Sequence, residues 1–300
     1  MLQIIPRSKY WLTLSGALFV VALLAILIFG FKSGLDFSGG NLLELKFLKD
    51  RPTTEEVKTM IDELKIESGV VVQPAGDNNL IIRFQSTNED IHKKIVDKFK
   101  DKYKDDVQEE RFDSIGAAIG TELKTKAIYS IIMVSICIII YVAWAFRKVS
   151  WPVASWKYGL IAVIALIHDV TIVAGIFAIL GKYAGVEVDL PFIAALLTIL
   201  GYSVNDTIII FDRIRENLGR LPKTEFGEVV NRSLNETMAR SINTTFTTLL
   251  AIVAVLIFGG ASISAFALAL TIGIFLGAYS SIFVASPLLV VWNKINRRED

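Results

Sequence analysis

Apolar residues in this chain fall into long unbroken runs, not the alternation of a half-buried strand or the three-and-four spacing of a surface helix. Five stretches, 11 to 31, 127 to 146, 158 to 181, 190 to 211 and 241 to 293, together hold 140 residues and only two charged side chains, Asp169 and Asp206. About 20 apolar residues carry a helix across a hydrocarbon core of about 30 Å. The first four stretches each predict one crossing, and the fifth, 53 residues long, predicts two, joined at Gly259-Gly260. The reading is a polytopic α-helical membrane protein with six transmembrane helices at 11–31, 127–146, 158–181, 189–211, 241–260 and 264–290. Residues 1–10 and 291–300 are its tails, and 212–240 is an amphipathic loop. Arg7 and Lys9 precede the first run as they would in a signal peptide. Its 21 uncharged residues and the lack of an Ala-x-Ala-like end fit an uncleaved anchor instead.

Between the first two helices the pattern changes. Residues 41–48, 69–73 and 79–85 read as strands, with Gly76-Asp77-Asn78 as a hairpin turn. Thr53 or Thr54, with Glu56 following, starts a helix through Lys65, and Asn88 caps another through about Tyr103. A last strand over 107–115 completes the order βαββαβ, so that 32–126 reads as a ferredoxin-like outer domain. That fold is shared by many functions and names none.

Composition sharpens this picture. The chain of 300 residues is 53% hydrophobic and 20% charged, with a mean hydropathy of +0.53. Of its 61 charged residues, 59 lie outside the five runs, a segregation that excludes an ordinary soluble enzyme, a disordered chain and a fibre. The net charge of +1 is a sum over compartments, since residues 33 to 122 carry 13 Lys and Arg against 19 Asp and Glu, a net of −6. An acidic insert argues against nucleic acid as a partner. Cys137 is the single cysteine, so no internal disulfide forms. No grouping of His, Cys, Ser or Asp suggests catalysis or a metal site, and the expectation is a protein that is not an enzyme and needs no cofactor.

Basic residues set the expected orientation. Arg7 and Lys9; Arg147, Lys148 and Lys157; Arg213, Arg215, Arg220, Lys223, Arg232 and Arg240; and Lys294, Arg297 and Arg298 all fall on one side of a six-fold weave. That side is expected to be the cytoplasm, with both termini on it and the insert outside.

Ionisable groups at membrane depth cost about 2.5–3.5 kcal/mol on insertion scales and are candidate functional residues. Asp169 follows His168 near the middle of the third run, and Asp206 follows Asn205 in the fourth. The fifth helix opens with Arg240, then Asn243, Thr244, Thr247 and Thr248 at helical spacing, a polar stripe that begins with a cation. Thr198, Gly201, Tyr202, Asn205 and Asp206 have similar spacing. Asp206 and Arg240 have comparable depth, so an encounter between them is expected, of the kind a proton pathway needs. Arg240 also reads as a snorkelling cation, and the threonines as interhelical glue. Side chains of adjacent helical residues point about 100° apart, so His168 and Asp169 are not expected to form one simple dyad; a polar lock and a proton relay both remain open for them. Ala265, Ala269, Gly273, Gly277 and Ser281 recur every four residues, a small-residue face for packing within the chain or against a partner.

Several segments resemble those of the SecF family, the smaller subunits of the bacterial SecD/SecF complex, in the resistance-nodulation-division superfamily. They are GLDFSGGNLLEL (34–45), RFDSIGAAIGTEL (111–123), ALIHD (165–169), LGYSVNDTIIIFDRIREN (200–217) and LNETMARSINTTFTTLLA (234–251). Asn205-Asp206 favours SecF over SecD, whose membrane carboxylate is expected one position earlier. The resemblance implies a subunit of the bacterial cytoplasmic membrane that uses the proton gradient to promote preprotein translocation. Its implied partners are SecD, the SecYEG translocon, YajC, exported preproteins and the lipid bilayer. It assigns Asp206 and Arg240 to the proton pathway together with a SecD carboxylate, and leaves His168, Asp169, Asn205, Asn243, Thr244 and Thr247 as accessory polar residues. Two other readings stay open: a half-transporter of the same superfamily for lipids or small molecules, and a structural scaffold.

Overall fold

A computed structural model of the chain describes residues 2–49, 51–64, 70–84, 89–145 and 153–296. It divides into two compact units, Met1–Lys32 with Ile128–Asp300, and Ser33–Ala127. In chain order the elements are α1 (Ser8–Phe29), α2 (Leu35–Ser38), β1 (Gly40–Phe47), α3 (Thr54–Asp62), β2 (Val71–Ala75), β3 (Asn79–Phe84), α4 (Glu89–Tyr103) and β4 (Val107–Ile115). Then follow α5 (Ala117–Ala145), α6 (Ser155–Tyr183), α7 (Leu190–Arg220), α8 (Phe226–Phe258), α9 (Ala261–Ser280), a π turn (Ser281–Ala285) and α10 (Ser286–Asn296).

In the smaller unit the antiparallel sheet has the order β2-β3-β1-β4, the ferredoxin-like arrangement. Alternation puts Leu43, Leu45 and Phe47 of β1 and Leu80, Ile82 and Phe84 of β3 on one buried face, covered by Val57 and Ile61 of α3 and by Ile95 and Phe99 of α4. Pro74 sits in β2, an edge strand, where a missing N–H is tolerated. Thr53 caps α3, its hydroxyl accepting from Glu56 N at 3.3 Å while Glu56 Oε2 accepts from Thr53 N at 3.2 Å, a capping box. Lys98 of α4 donates to Glu63 at the end of α3 and holds that exposed carboxyl below its ordinary range. Gly76, Asp77 and Asn78 form the turn between β2 and β3. Relative to the sequence reading, β2 runs to Ala75, two residues further. Gly69, Gln85 and the expected helix ends at Lys65 and Asn88 lie outside the described residues, as do Arg147, Lys148, Arg297 and Arg298.

Six helices among the described residues are long and apolar enough to cross a membrane, with α9, the π turn and α10 counting as one. Asp189 caps α7, its carboxylate accepting from Phe192 N at 3.0 Å, with Pro191 in the first turn. The π turn ends immediately before Ser286-Pro287, where proline supplies no backbone donor to continue the α-helical ladder. Ser286 Oγ reaches back to Ser281 O at 3.0 Å across it. About two thirds of the apolar windows of α6 and of the last helix are buried, against 11% in α5 and α8. α1 packs on α6 at a crossing with no room for a side chain: a Cβ at Gly175 would lie 2.5 Å from the Cβ of Ala22.

One expectation changes, and one open alternative is decided. The segment 212–240 is not one separate loop, because α7 continues to Arg220 and α8 begins at Phe226 and runs unbroken to Phe258. Its apolar side chains Phe226, Val230 and Leu234 join Ile210, Phe211 and Ile214 of α7, with Ile4 and Ile5, in one buried cluster. The first residues are strapped to α8, Asn231 Oδ1 accepting from Ile4 N at 3.0 Å and Asn235 Oδ1 from Leu2 N at 2.7 Å. The small-residue face of the last helix packs within the chain, Gly273 against Ile199 and Gly277 against Ser203 of α7.

Candidate functional site

Asp206 lies on the buried side of α7, where the helical phase turns Ser203, Asp206, Thr207 and Ile210 inward and leaves Thr198 and Asn205 exposed. Its carboxylate accepts a short hydrogen bond from Ser241 Oγ of α8. Arg240, the neighbour of Ser241, is exposed and makes no ion pair with Asp206 among the described residues. Adjacent positions on a helix diverge by about 100°, and here Ser241 is turned inward to the carboxylate while Arg240 is turned to the exposed face. Ser241, the neighbour of Arg240, is the side chain that makes the contact.

Arg240 continues into the expected stripe. Asn243, Thr244 and Thr247 are exposed on α8. The threonine hydroxyls donate to their own helix, Thr244 to Arg240 O at 2.9 Å and Thr247 to Asn243 O at 3.0 Å. One bond joins the stripe to α7, Tyr202 OH to Thr248 Oγ1 at 3.1 Å. Most of this polar row is therefore available to a partner or to water.

His168 and Asp169 do meet, against expectation: His168 Nδ1 lies 2.9 Å from Asp169 Oδ1. The 100° rule separates Cβ directions, and side chains of this length can close the gap at their ends. Asp169 is fully buried, and its Oδ2 accepts from Ser203 Oγ of α7 at 2.8 Å and from Ser280 Oγ of α9 at 2.6 Å. His168 stacks at 6.4 Å on Phe19 of α1, and its Nε2 is buried without a hydrogen-bond partner among the described residues. Asp169 thus joins α6, α7 and α9.

A further group lies on the charged extensions of α7 and α8. Glu236 accepts from Arg213 Nε at 2.7 Å, Asn217 Nδ2 at 2.7 Å and Arg232 Nε at 2.9 Å. Residues that read in sequence only as orientation-setting cations are here a clasp between two helices. Sequence reasoning also missed Ser203, Ser241 and Ser280, and read Ser281 only as part of a packing face. Only Ser203, one turn before Asp206 on α7, had a signal in its spacing, and serine at such a position also serves simple close packing.

A multi-pass helical membrane protein with a ferredoxin-like domain after its first helix and two carboxylates buried between helices is the class these features define. Residues 94–295 match the family described as protein export membrane protein SecD/SecF, C-terminal. The protein translocase subunit SecF of Anaerolinea thermophila is 38% identical over 97% of this chain and 94% of its own length. That of Thermobaculum terrenum is 39% identical over 96% and 93%. A crystal structure of SecDF from Thermus thermophilus, described as a translocon-associated membrane protein, superposes with a TM-score of 0.82 at 33% identity over 98% of this chain. The match spans 39% of that longer chain. The chain belongs to the SecF family of protein translocase subunits.

Proposed function

We propose that this chain is the SecF-type half of a proton-driven accessory to preprotein export, with Asp206 as the membrane carboxylate that binds and releases the proton. The carrying observation is the placement of Asp206: buried in α7, bonded to Ser241, and beside the exposed polar row of Arg240, Asn243, Thr244 and Thr247. A carboxylate at membrane depth is expensive to insert and is retained where it moves charge or binds an ion. Arg240 is the cation of the same pathway, acting from the exposed face instead of through a bond to Asp206 in this state. A SecD chain is the partner that covers the row, since relatives carry both halves in one chain named SecDF. The basic segments support an orientation with both termini in the cytoplasm and the ferredoxin-like domain outside. Such a subunit catalyses no covalent chemistry and needs no bound cofactor.

Asp206→Asn tests this in cells depleted of the native chain. The variant is expected to insert and to keep its SecD partner while gradient-dependent export of a preprotein falls at least tenfold. Export at the native level would overturn the proton role.

A further inference from the structure

We propose that Asp169 is a positioning residue for Asp206, acting through α7. The inference rests on the reading of Asp206 as the functional carboxylate and adds a residue whose role is to hold it in place. Asp169 Oδ2 takes one hydroxyl from each of two helices, Ser203 of α7 and Ser280 of α9. Ser203 stands one turn before Asp206 on α7. Thr207, next to Asp206, is tied at 2.8 Å to Ser281 of the π turn, and Ser281 follows Ser280 directly. The two serines at the α9 end therefore grip α7 on both sides of the turn that carries Asp206, one through Asp169 and one directly.

Close packing makes that grip directional. A Cβ at Gly277 would lie 2.9 Å from the Cβ of Ser203, and one at Gly273 would lie 2.2 Å from Ile199 Cδ1, so α7 and α9 meet with little space between them. Packing of this kind sets the distance between the helices. The bonds from Ser203 and Thr207 fix the rotation. With α7 held on its α9 side, Asp206 is presented to Ser241 on α8. Loss of the Asp169 anchor leaves α7 held on that side by the Thr207 tie to Ser281, and the loosened turn carries Asp206 away from Ser241.

The test reads geometry directly. In the full chain, in its native membrane with its partner chain co-expressed and with Cys137→Ser to remove the background thiol, the pair Asp206→Cys and Ser241→Cys reports the α7–α8 contact by its oxidative cross-linking rate. Asp169→Ala is expected to slow that rate at least fivefold. Asp169→Asn, which can still bond both serines and His168, is expected to restore it to within twofold. Ser203→Ala, a small deletion on α7, is expected to slow it in the same direction and carries the test if Asp169→Ala fails to accumulate. An unchanged rate in Ser203→Ala, or a rate in Asp169→Asn as slow as in Asp169→Ala, would overturn the positioning role. Asp206→Asn exporting normally would defeat the proton reading while leaving the cross-linking result intact, so the two failures are distinguishable.

Discussion

Asp206 and Asp169 show how one residue type takes two environments within the same bundle. Among the described residues Asp206 has a single bonded side chain and lies beside a polar row open to the outside of the chain, whereas Asp169 is closed in by three hydrogen-bond partners, His168, Ser203 and Ser280. A hydrogen bond to a charged group contributes about 1.5–3 kcal/mol, and a buried acceptor left without one costs about 1–3 kcal/mol. Ser241→Ala therefore removes the only side-chain bond described for Asp206, and a several-fold loss of gradient-driven preprotein uptake into inverted vesicles is expected. Ser241→Thr keeps the hydroxyl and is expected to stay within twofold of the native rate; equal losses in both would show that the hydroxyl is not what matters. Both aspartates were legible in the sequence because charge is rare in an apolar run. Their partners were not, because a serine in a membrane helix carries no such contrast with its neighbours.

Among the elements, strands and spans were legible from period and length, while helix ends were not. The alternation in 41–48 and 79–85 reappears as the buried faces of β1 and β3, and Thr53 with Glu56 gives the cap of α3. The charged stretch 212–240 misled because hydropathy measures fitness for lipid, not helicity. α7 and α8 keep their helical hydrogen bonds well past the apolar zone, and Phe226, Val230 and Leu234 have a protein core to enter. The α1–α6 crossing gives the sharpest test at this scale. The three atoms nearest a Cβ at Gly175 all belong to Ala22, including its Cα at 2.6 Å and its carbonyl oxygen at 2.8 Å, and none of them is the end of a flexible side chain that could yield. Gly175→Ala is expected to cost about 1–3 kcal/mol by forcing the two helices apart. Thermal unfolding in detergent would register this as a midpoint lowered by several degrees, and an unchanged midpoint would show that α1 can move aside freely.

Across the whole molecule, the six helices divide by what their outer faces expose. Described residues of α1 and α5 expose Leu23, Leu24, Leu27, Ile132, Met133, Ile136 and Ile140, surface suited to hydrocarbon. The α7–α8 face exposes Thr198, Asn205, Arg240, Asn243, Thr244 and Thr247. Lipid tails match the first surface and can satisfy none of the hydrogen-bonding groups on the second, so the two faces of one bundle call for different neighbours. Total composition hides this difference, which appears only when residues are sorted by the direction they face. A SecD chain seated on the polar face would shield Thr247→Cys from a small membrane-permeant maleimide, whereas Met133→Cys on α5 would remain as reactive as before. With Cys137→Ser as background, co-expression of the SecD chain is expected to lower labelling at position 247 at least fivefold and to leave position 133 within twofold. Equal labelling of both sites with and without SecD would move the interface off α7 and α8 and leave the polar row as the wall of a water-filled path.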